Sequence, residues 1–115
     1  MYALLSAFNN TDPRIQASAV TSIDGVALGY AHQYGGNEDH VCGMGSALFA
    51  VGKNSIATLL GGDCKHLVVT GEQGYVLVAL LNQDVLLVAV TQEGVDLPKL
   101  MQAMDGFRED FLLAQ

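Results

Sequence analysis

The sequence predicts an α+β domain, a five-stranded antiparallel sheet with helices on both faces in the order α-β-β-α-β-β-β-α. Three observations carry this. Two alternating segments flank an Asp24-Gly25 step, as strands of a hairpin do. Three apolar runs, KHLVVT (65–70), YVLVALL (75–81) and VLLVAV (85–90), are joined only by GEQG and NQD, which makes a meander. Between these groups, residues 39–60 repeat apolar and small side chains at helical spacing.

The elements follow in order. YALLSAF places Leu4, Leu5 and Phe8 at helical spacing, and NNTDP ends a short first helix. In RIQASAVTSI, Ile15, Ala17, Ala19 and Ile23 alternate with Gln16, Ser18 and Ser22, which predicts a strand with two distinct faces. Asp24-Gly25 is placed as a two-residue turn into VALGYAHQ. YGGNED (34–39) is a loop in which Asn37 or Asp39 caps the next helix.

On the 39–60 helix, Val41, Met44, Leu48, Val51 and Leu59 form one stripe, and Cys42, Gly45, Phe49, Gly52, Ile56 and Leu60 form a second beside it. Ser46, Lys53 and Asn54 occupy the remaining face. The combined apolar and small sector is about half the circumference, wider than packing on one sheet requires, so the helix needs two partners. Gly-Gly-Asp at 61–63 ends it. The strands 75–81 and 85–90 are apolar at nearly every position, which requires cover on both faces of the sheet centre. Asp96 and Pro98 open a final helix carrying Leu97, Leu100, Met101, Met104 and Phe111, with Gly106 as its weak point.

Composition bounds the function. The 115 residues are one domain, 1–115, half of them hydrophobic and 15% charged. Five scattered Lys and Arg against twelve Asp and Glu leave a formal charge of -7, which argues against nucleic acid and anionic membranes as partners. The longest apolar runs fall far short of the ~20 residues that span a bilayer, so no membrane insertion is expected. Two cysteines are too few for a disulfide framework, and no leader pattern opens the chain; a cytoplasmic protein is expected.

GMGSALFAVGKNS (43–55) tests the idea of a phosphate loop and fails it. Counting back from Gly52-Lys53 puts Ala47 where a Walker loop needs glycine, Asn54 replaces the hydroxyl residue, and no strand leads in. Two other readings of Gly45 and Gly52 stand open. The helix lies close to its own sheet at its small residues, or two copies of it cross there with Phe49 and Ile56 on the flanks. His40, Cys42, Cys64 and His66 have the residue types of a zinc site but the wrong spacing, since residues two apart on a helix do not face each other. No Ser or Cys is tied to a His and an acid, and the acidic pairs Glu38-Asp39 and Glu109-Asp110 fit helix ends and wet surfaces. The expectation is a protein with no catalytic residues, no cofactor and no metal.

The words SIDGVALGYA and VVTGEQGYVLVALLNQDVLLVAVT, with the element order, resemble the Roadblock domain of dynein light chains and bacterial regulators of Ras-like GTPases. The resemblance spans roughly residues 15–104 and implies a profilin-like fold that dimerises through its middle helix and third strand, with one sheet continuous across both subunits. It places the homodimer contact on the 39–60 helix and 65–70 strand, at Gly45, Phe49, Gly52, Ile56, Leu60, Leu67, Val68 and Val69. Ser46, Lys53 and Asn54 then face a partner. It implies a non-catalytic regulator or scaffold that binds a small Ras-like GTPase and modulates its nucleotide cycle or localisation. A small-molecule sensor domain and a motor-complex adaptor are the alternatives. Strands built from Val, Leu and Ala with few convergent polar groups favour a filled core over a ligand pocket. The run TQEGVDLPKLMQAM departs from the sequence usual in the family after the last strand, and the first helix is shorter.

Overall fold

In a computed structural model, which describes residues 1–33 and 35–115, the chain forms the expected elements in the expected order. They are α1 (Tyr2–Asn9), β1 (Ile15–Ser22), β2 (Ala27–His32), α2 (Glu38–Leu59), β3 (His66–Thr70), β4 (Gly74–Asn82), β5 (Val85–Gln92) and α3 (Leu97–Leu113). The loop expected over 34–39 includes Tyr34, which lies outside the described residues. The strands make one antiparallel sheet in the order β2-β1-β5-β4-β3, so β2 and β3 are its edges.

Two apolar clusters sit on opposite faces of this sheet. On one, α1 and α3 bring Leu5, Phe8, Leu100, Met104, Phe107 and Phe111 onto Leu77, Leu81, Leu87 and Ala89. On the other, α2 brings Cys42 and Phe49 onto Ala19, Val78, Leu86 and Val88. Alternate residues of β4 and β5 therefore enter opposite clusters, which is why these strands are apolar throughout.

Cover on both faces also corrects the reading of β1. Ser18 is fully buried, not on a wet face, and its hydroxyl donates to Asn9 Oδ1 at 2.6 Å. The Asn9 amide in turn donates to the Ala31 carbonyl at 3.2 Å. An eight-residue helix is marginal by itself. Leu5, Phe8 and this satisfied polar link hold α1 on β1 and β2. A bulge at Gln16 between Ile15 and Ala17 also breaks the alternation, so Ile15 joins the α1/α3 cluster while Ala19 joins that of α2.

The first hairpin differs by one residue from expectation. Ser22 N–H donates to the Val26 carbonyl and Gly25 N–H to the Ser22 carbonyl, both at 2.9 Å, so three residues, not two, make the loop. Gly25 takes the positive φ of 89° that this loop needs. Gly106 does not weaken α3, which runs unbroken across it. Its start is capped as expected, Asp96 Oδ1 accepting from Lys99 N–H at 3.2 Å.

Candidate binding surface on α2 and the β3 edge

α2 begins where Asn37 Oδ1 accepts the His40 N–H at 3.1 Å, with Glu38 and Asp39 in the first turn where the helix dipole favours carboxylates. It ends as Gly61, at φ 80°, turns back and donates its N–H to the Ile56 carbonyl at 2.8 Å. Between these ends the helix crosses the sheet diagonally, touching all five strands.

The stripe of small residues faces inward. Gly45 and Phe49 are buried, and a Cβ on Gly45 would overlap the Val88 Cγ2 methyl. At Gly52 a Cβ would lie 3.1 Å from Leu67 Cδ2 and 3.4 Å from Cys64 Sγ. Ile56 and Leu67 are half-buried in the same cluster. Within the chain, Gly45 and Phe49 pack against its own sheet. The reason is the height of α2 above β5, set by Val88 meeting a residue without a side chain. Of the eight residues named for the contact, Leu60 and Val69 are exposed, and Val68 is half-buried on the α1/α3 side.

The neighbouring stripe points to solvent instead. Met44 is 62% exposed, Val51 66% and Leu59 78%, with Val41 and Leu48 partly covered below them. Isolated exposed apolar residues are ordinary, but a run along one helix flank is not. Val69, on the sheet face of Leu67, adds to it from the strand edge. The Ser46 hydroxyl donates to the Ile23 carbonyl in the β1–β2 loop, and the residue is half-buried. Lys53 and Asn54 are exposed.

The two sheet edges are unlike. β2 carries a register shift opposite Val20/Thr21, a bulge that interrupts its edge. β3 pairs with β4 in unbroken register and contains no proline, lysine or carboxylate. Lys65 C=O accepts from Leu80 N–H at 2.9 Å and Gly71 N–H donates to Gly74 C=O at 2.8 Å, so the odd-numbered residues of this segment aim their backbone groups at β4. Alternation leaves the N–H and C=O of His66, Val68 and Thr70 pointing off the sheet edge.

The candidate reactive groups are dispersed. Among the described residues no three His, Cys, Asp or Glu side chains come together as metal ligands would. Both thiols are free and buried. Burial pushes the Cys42 thiol up, a hydrogen bond with Thr21 opposes this, and the carboxylates of Glu38 and Asp39 push it up further. Tyr30 is also raised, by burial first and then by Glu38 and Cys42. A raised folded value stabilises the fold below the unfolded pKa, about 8.5 for cysteine, and that contribution is lost as pH rises through the folded value. The melting temperature is thus expected to be flat near pH 7–8 and to fall above about pH 9. Cys42→Ala should remove part of that slope and leave the portion due to Tyr30; equal alkaline slopes in both proteins would refute the assignment.

No helix among the described residues is long and apolar enough to cross a membrane. What the fold and this surface define is a profilin-like α+β domain marked by an apolar helix flank beside a bare strand edge. The sequence profile of the Roadblock/LC7 domain matches residues 2–91, and the chain belongs to that family. The fold is similar to a Roadblock/LC7 domain from Streptomyces avermitilis, with a TM-score of 0.90 at 19% identity over 96% of this chain and 92% of that one. The gliding protein MglB from Thermus thermophilus is similar with a TM-score of 0.82 at 19% identity, covering 93% and 82%. A profilin from Schizosaccharomyces pombe superposes with a TM-score of 0.66 at 12% identity, covering 97% and 95%. A search among curated proteins by sequence finds no match.

Proposed function

We propose that this chain is a non-catalytic homodimeric regulator or scaffold of a small Ras-like GTPase, and that it pairs with its copy through the outer flank of α2 and the edge of β3. One observation carries the self-association: the exposed Met44, Val51 and Leu59 run beside a straight strand edge on which, among the described residues, the outward backbone groups of Val68 and Thr70 lack partners, the His66 carbonyl accepting only from the Cys64 thiol at 3.8 Å. A two-fold axis at β3 covers both features with one self-complementary contact and makes the sheet continuous. The GTPase reading is supported by membership of the Roadblock/LC7 family, whose resemblance to regulators of Ras-like GTPases is drawn above. Lys53 and Asn54, exposed, with the half-buried Ser46 beside them, form the face of α2 offered to such a partner.

Immobilised protein exposed to lysate of its own cell is expected to retain a small GTPase, with the amount differing between a GTP analogue and GDP. Lys53→Glu should reduce that retention while leaving the melting temperature unchanged. If no GTPase is retained in either nucleotide state, and the cell's Ras-like GTPases hydrolyse and exchange nucleotide at the same rate with and without the protein, the reading is wrong.

A further inference from the structure

We draw no further inference here: the strongest candidate, the groove between α3 and β3, is lined by Lys65 and Arg108 as well as by Asp105 and Glu109, so its rim is charge-balanced and nothing in the structure shows what covers it.

Discussion

Gly45→Ala is expected to destabilise the fold, and Gly43→Ala, two residues away on the same helix, to stabilise it. Alanine is better than glycine in a helix interior by roughly 1 kcal/mol, so propensity alone predicts a gain at both sites. Space decides between them. A Cβ at Gly43 meets nothing within 4 Å, and the gain should appear nearly in full. A Cβ at Gly45 overlaps the Val88 Cγ2 methyl, and Val88 is fixed between β1 and β4 with almost no exposure. Overpacking of this kind costs about 1–3 kcal/mol, which exceeds the propensity gain. Gly45→Leu adds further atoms to the same contact and should cost enough to leave a domain of about 5–15 kcal/mol marginally folded or unfolded. Urea unfolding of the three variants checks this, with a shifted midpoint at constant slope as the sign of a stability change. A Gly45→Ala protein as stable as Gly43→Ala would show that α2 does not rest on Val88.

The second large effect concerns assembly. Val51→Asp and Val69→Lys each place a charge on the surface proposed to meet a copy, and each is expected to convert a dimer to a folded monomer in light scattering with helix and strand content kept. Burying an unpaired charge costs several kcal/mol, whereas on an open surface the same side chain costs little. The backbone polarity of β3 makes the register testable as well. Because His66, Val68 and Thr70 present the outward hydrogen-bonding groups, the two-fold pairing with greatest overlap sets Val68 opposite its copy and His66 opposite Thr70. Opposed residues of a hydrogen-bonded pair lie about 5.5 Å apart at Cα, within the disulfide range of about 4.4–6.8 Å. Val68→Cys should therefore form a disulfide-linked dimer on mild oxidation, and Val69→Cys should do so poorly. Preferential cross-linking through Val69→Cys would place the axis elsewhere, and failure of both variants would remove β3 from the contact.

How much of this was legible in the sequence varies by element. The order of helices and strands could be read because the meander joints are short and each run keeps its period over several residues. The caps could be read because Asn37 and Asp96 stand immediately before periodic segments, and both accept the expected N–H groups. Both-face burial of β4 and β5 was visible as continuous apolar runs. In β1 it was hidden, because Ser18 reads as a solvent-facing residue until Asn9 is known to sit above it. The bulge at Gln16 leaves no signature in composition, since it depends on how β5 pairs.

What the sequence determined by itself is the α+β architecture, the double-width apolar sector of α2 and the failure of 43–55 as a phosphate loop. These depend on spacing along the chain, which is local. Only the tertiary structure decided which of two adjacent stripes on α2 faces the sheet. Both are apolar, and they differ mainly in bulk. Val88 admits a close approach only where Gly45 has no side chain, so the small stripe turns inward and Met44, Val51 and Leu59 are left outside. The orientation of a helix about its own axis depends on side chains distant in sequence, and periodicity cannot report it.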